Sequence, residues 1–187
     1  MVFTCIYCGL DPLVAQLKDS GSQRLDNIVE LILASKYSIH DLSRMVSEEE
    51  GAFARFNMPF ELGIEIGIRA CNADKFDRKK CLVLDSGKYR YRRAISDLSG
   101  SDIASYGEHS AMQPENLVRA LRDWFTRAIN PKQRSSAKIW AEFNEFVYDL
   151  DLILEEVNGL EVSLSELTEA EFIYYAKEWV IARATEE

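Results

Sequence analysis

The stretch KKCLVLD, residues 79–85, decides how the chain is read. Cys81, Leu82, Val83 and Leu84 run without a polar break between Lys80 and Asp85. A strand wet on one face alternates apolar and polar side chains. A strand covered on both faces is apolar throughout, which is the habit of parallel sheets flanked by helices. Just upstream, residues 58–69 carry Phe60, Ile64, Ile66 and Ile68 and read as a helix. Pro59 suits its first turn, where a missing N–H has no partner to lose. Gly63 and Gly67 weaken that helix, and the spacing predicts that they allow close packing on a sheet. Further upstream, residues 37–42 alternate as a short strand. Residues 23–34 place Leu25, Ile28, Leu31 and Ile32 at helical spacing, with Asp19 or Ser20 at the start.

Downstream, residues 89–95 predict a short helix, residues 97–103 a turn and residues 103–106 a short strand. Residues 114–129 form an amphipathic pattern through Leu117, Val118, Leu121, Trp124 and Phe125, closed by Asn130-Pro131. Strand signals then stop. Ile139, Phe143, Phe146, Val147, Leu150 and Leu154 mark a helix over residues 137–157. Ser165 is the expected cap of a last helix running to residue 184. Strand and helix in alternation predict an α/β fold, a doubly wound parallel sheet over residues 1–130, followed by a helical extension over residues 131–187. Ligands of such sheets sit beyond the carboxyl ends of the strands.

Composition bounds the function. The formal charge is -9, and from Pro131 onward 5 Lys+Arg face 13 Asp+Glu, a net of -8. An acidic chain is a poor partner for nucleic acid. No apolar run approaches the roughly 20 residues of a membrane span, and the first residues lack the basic start of a signal peptide, so a cytoplasmic protein is expected. Cys5 and Cys8 have C-x-x-C spacing, but Cys71 and Cys81 do not form a second close pair. His40 and His109 are not spaced as ligands either. Reduced thiols, no metal site and no cofactor are the expectation.

One constellation could carry chemistry. Asp41, Ser43 and Arg44 follow a predicted strand, and Asn57 precedes a predicted helix. Glu61 and Glu65 lie four apart on one face of that helix. A carboxylate in the first turn points toward the ligand side of the sheet, where it can stabilise a developing sugar cation. The same residues have plain uses: Asp41 can close a turn, and Glu61 can complement the helix dipole.

The segments SIHDLSR (residues 38–44), RFNMPFELGIEIG (55–67), KKCLVLD (79–85) and YRYRRAISDLSGSDI (89–103) resemble a group of bacterial proteins of largely unknown function. The sheet domain of that group is similar to Toll/interleukin-receptor-like domains and to nucleoside 2-deoxyribosyltransferases. In the transferase pattern an Asp after one strand is followed by an Asn and then by Glu-Leu-Gly on a helix. Asp41, Asn57 and Glu61-Leu62-Gly63 match that order. The resemblance implies a flavodoxin-like sheet and a catalytic role for Glu61. It implies substrate contacts from Asp41, Ser43, Arg44, Asn57 and Glu65, and a nucleotide or nucleoside as substrate. Residues 1–3 match the late part of the family's first helix and residues 10–17 its second strand, so the central first strand is expected to be missing.

Two readings of activity stay open. One is cleavage of an N-glycosidic bond in NAD or a nucleoside, as in a bacterial defence effector. The other is a nucleotide-sensing or protein-interaction module without turnover, with a homo-oligomer formed through the helical extension. The run from Lys88 to Arg93 reads as a solvated helix face with tyrosines tucked inward. His40 is expected to be buried, pointing away from Asp41. Asp97 and Asp102 frame a turn around Gly100.

Overall fold

A computed structural model of the chain describes residues 1–15, 23–45, 54–107, 114–158 and 164–186. Asp19, Ser20 and His109 lie outside these residues. The chain divides into a sheet unit, Ala15–Asn116, and a helical unit made of Met1–Val14 and Leu117–Glu187. The helical unit thus takes in the N-terminal segment and most of the helix at residues 114–128, both assigned to the sheet domain from sequence.

In the sheet unit, α2 (Arg24–Ala34) leads into β1 (Tyr37–Asp41) and a 3-10 turn at Ser43–Met45. Then come α3 (Asn57–Cys71), β2 (Lys80–Asp85), 3-10 turns at Arg90–Arg93 and Ser96–Gly100, and β3 (Ala104–Ser105). The described strands form one parallel sheet in the order β1-β2-β3. Tyr37 pairs with Lys80 through to Asp41 with Leu84, and Leu84 and Asp85 pair with Ala104 and Ser105.

That register sorts the side chains, because neighbours along a strand point to opposite faces. Ser38, His40, Cys81, Val83 and Asp85 share one face. Ile39, Asp41, Leu82 and Leu84 share the other. Helix α3 covers the first face. Its buried residues are Glu61, Leu62 and Glu65, one stripe at helical spacing. Leu62 packs with Leu42, Met45 and Tyr91, flanked by Met58, Cys81 and Val83. Helix α2 lies beside α3. The buried Lys79 closes α2, donating from Nζ to the carbonyls of Ile32 at 2.8 Å and Ser35 at 2.7 Å. Those are terminal carbonyls without partners inside their own helix.

The helical unit contains α1 (Val2–Tyr7), α4 (Pro114–Ala128), α5 (Ser136–Asn158) and α6 (Glu169–Glu186). Phe3, Ile6, Phe146, Leu150, Leu154, Ala176 and Trp179 make its core. The rings of Phe3 and Phe146 stack at 5.1 Å. Trp179 Nε1 donates to Asp149 at 2.7 Å, so the indole stays satisfied while its body is buried. The two late helices read from the sequence are present and pack on each other through this core.

Three local expectations are corrected. Residues 11–15 carry no strand, and Pro12, which has no N–H to give a ladder, sits in that segment. Ser165 lies in a separate 3-10 turn, Leu164–Glu166. The cap of α6 is Thr168, whose N–H donates to Glu171 Oε2 at 2.8 Å while the N–H of Glu171 donates back to Thr168 Oγ1 at 3.3 Å. This is a reciprocal capping box. Gly63 and Gly67 face open space, with nothing within 4 Å of an added Cβ. They are not sites of close packing.

Candidate functional site

The carboxyl ends of β1 and β2 are tied together by a pair the sequence reading left out. Asp85, fully buried, accepts from Arg90 Nε at 3.0 Å and Nη2 at 2.6 Å. It also accepts from the backbone N–H groups of Ser86 at 2.8 Å and Tyr91 at 3.1 Å. Arg90 Nη2 reaches on to the carbonyls of Leu42 at 3.2 Å and Ser43 at 2.5 Å. One guanidinium thus bridges β2 to the turn after β1. Tyr89, in left-handed conformation at φ 59°, sets up the turn that delivers it. The Lys88–Arg93 run is divided: Tyr91 is buried, Tyr89 is exposed with Arg92 stacked on its ring, and Arg90 is structural.

Asp41 is on the Leu84 face. Its carboxylate accepts from the Ser43 N–H at 3.0 Å and from the Tyr106 hydroxyl at 2.9 Å. Burial, helped by the Asp41 charge, pushes the Tyr106 hydroxyl up to about 12, so it stays a donor. Ser43 is buried and Arg44 is exposed. The N–H of Arg55 donates to the carbonyl of Arg44 at 3.2 Å, which sets the approach to α3 beside this turn. Asn57 is exposed in the first turn of α3.

Glu61 follows one turn on, in the buried stripe of α3, and is 7% exposed. Its Oε1 has no hydrogen-bond partner. The Arg24 guanidinium, at the start of α2, stands 3.7 Å away, close enough to offset charge but too far to hydrogen-bond. Glu65 lies deeper and is fully buried. It accepts from Ser38 Oγ at 2.6 Å and pairs with His40 Nε2 at 2.8 Å.

The sequence places Asp41, Asn57 and Glu61 together at one end of the sheet, but they do not come together, because Asp41 and the buried stripe of α3 lie on opposite faces of it. Asn57 and Glu61 share the early turns of α3. Glu65 is spent inside the sheet–helix interface, and Asp41 turns to the opposite face of the sheet. His40 is buried and points away from Asp41 as expected. What the sequence reading missed is its partner. Burial pushes the His40 imidazole down, but the adjacent Cys81 sulfur and the Glu65 carboxylate outweigh it, and the ring rises to about 9. Burial works against ionised Glu65 too, yet His40, Ser38 and Lys79 hold its carboxyl below the usual range. The alternation of β1 and the phase of α3 together contained this pairing, although 25 positions separate the two residues.

No helix among the described residues is long and apolar enough to cross a membrane. No protein-family model, no curated protein and no solved structure matches the chain.

Proposed function

We propose that the chain processes a nucleotide or nucleoside by cleaving its N-glycosidic bond, with Glu61 as the central carboxylate. The observation that carries this is the state of Glu61: a nearly buried carboxylate near the carboxyl end of the sheet, with one oxygen that has an ion-pair neighbour in Arg24 but no hydrogen bond. A buried polar atom without a hydrogen bond costs roughly 1–3 kcal/mol, and such groups concentrate where a ligand completes them. The reading also rests on the order Asp41, Asn57, Glu61-Leu62-Gly63, which resembles the nucleoside 2-deoxyribosyltransferase pattern.

In this reaction the bond from the anomeric carbon to the base nitrogen breaks, and the base leaves with the electron pair. Glu61 stabilises or captures the cationic sugar, and water supplies the hydroxyl. In this reading Asn57 and Arg44, both exposed, contact sugar hydroxyls and phosphate. Asp41 and Ser43 act through the Tyr106 and Arg90 contacts that hold the strand ends, and Glu65 supports α3 from below. The proposal includes a flavodoxin-like, doubly wound setting for the sheet and a cytoplasmic location.

A second reading, a nucleotide-sensing or interaction module without turnover, is favoured by one observation. Tyr148, Leu152, Val157, Tyr174 and Ile181 are exposed on α5 and α6. Incubating the full chain with NAD and a panel of nucleosides, and measuring free nicotinamide and free base by chromatography, separates the two. Release above the uncatalysed rate supports cleavage. Saturable binding of a panel member without release supports sensing.

A further inference from the structure

The face of the sheet under α3 holds a cluster that the proposed cleavage does not use. Donor atoms of His40, Glu65 and Cys81 lie within 4.8 Å of one another, the only such group of three among the described residues. His40 and Glu65 are buried and Cys81 is half-buried. His40 Nδ1 is enclosed without a hydrogen-bond partner, and the side chain is 7% exposed. The Cys81 sulfur lies beside the ring.

We infer that His40, Glu65 and Cys81 form a site for a divalent cation of the zinc class. The donor set is one imidazole, one carboxylate and one thiol. Thiolate and imidazole together select zinc-class ions over magnesium or calcium, which prefer oxygen alone. Donors around a tetrahedral zinc stand about 3.3–3.8 Å apart, given bonds of roughly 2.0–2.3 Å, so small rotations of the three side chains close the site. Three protein ligands leave one position open. Ser38 Oγ, donating to Glu65 Oε1, orients the carboxylate from the second layer.

Imidazole and thiol bind a dication in their deprotonated forms, so any proton they carry leaves to solvent on loading. Lys79, whose charge is felt at Glu65, has its ammonium committed to the Ile32 and Ser35 carbonyls. A bare His40–Glu65 ion pair would account for Nε2 and Oε2.

The test uses the full chain stripped with a chelator and titrated with cobalt(II), whose thiolate-to-metal charge-transfer band reports sulfur ligation. The expected result is a saturating band at one equivalent, displaced by zinc. The band persists in Cys5→Ser/Cys8→Ser/Cys71→Ser, in which Cys81 is the one remaining thiol, and is lost in Cys81→Ser. Glu65→Gln weakens zinc binding by roughly 10-fold or more. Circular dichroism confirms that each variant is folded. No band in the wild type, a band that survives Cys81→Ser, or a band that disappears with Cys5 and Cys8 overturns the assignment.

Discussion

Replacing Arg90 by methionine removes the guanidinium that joins the ends of β1 and β2 while keeping most of the apolar stem. Asp85 then loses both side-chain donors and keeps only the N–H groups of Ser86 and Tyr91. The carbonyls of Leu42 and Ser43 lose a donor as well. Stranding one partner of a buried ion pair costs roughly 3–5 kcal/mol. The side chain of Arg90 is 23% exposed against 0% for Asp85, and two backbone donors remain, so the low end applies, about 3 kcal/mol. That corresponds to roughly a hundredfold rise in the opening equilibrium of the sheet. Amide hydrogen exchange reads it locally, at the Leu42 N–H bonded to Leu84 and the Tyr106 N–H bonded to Asp85. Asp85→Asn combined with Arg90→Met should recover about 1 kcal/mol or more, since the stranded charge is gone. A loss below about 1 kcal/mol for Arg90→Met would place the pair among ordinary surface bridges and refute the clamp.

Lys79→Met leaves the Ile32 and Ser35 carbonyls without their donor and should lower stability by about 1–3 kcal/mol, measured by urea unfolding. Phe146→Ala opens the core of the helical unit and should cost about 3–5 kcal/mol, seen as a loss in the Trp fluorescence melt. Gly67→Ala adds a methyl into open space within α3 and should stabilise by about 0.5–1 kcal/mol, seen as a higher Tm. In chelator-treated protein, His40 rises from an ordinary 6.5 to about 9 on folding. Its contribution to stability is complete below pH 6.5 or so and is lost as pH rises through about 9; a flat urea midpoint across that range would contradict the pairing with Glu65.

Local patterns carried the elements whose physics is local. The apolar run of β2, the alternation of β1 and the stripes of α4 and α5 each needed only their own residues. Asp11-Pro12 already argued against a strand near residue 10, and Thr168-x-x-Glu171 is a capping signature as plain as any at Ser165. The Gly63 and Gly67 expectation failed because a glycine on an exposed helix face leaves the same mark as one at a close crossing. The candidate site needed more than its residue types. Glu61 and Glu65 are one turn apart, yet one stands 3.7 Å from Arg24 with an oxygen that has no hydrogen bond, and the other pairs with His40. The Asp85–Arg90 clamp depends on a left-handed Tyr89, which composition does not announce.

The central claim is that the Glu61 carboxylate performs the cleavage, and Glu61→Gln tests it most directly. Glutamine keeps the size of the side chain and its hydrogen-bonding reach but cannot stabilise or capture a cationic sugar. With the nucleotide or nucleoside that the wild-type chain cleaves, release of free base should fall about 10²–10³-fold or more, while the circular dichroism spectrum is unchanged. Equal release by wild type and Glu61→Gln would remove Glu61 from the chemistry and contradict the account.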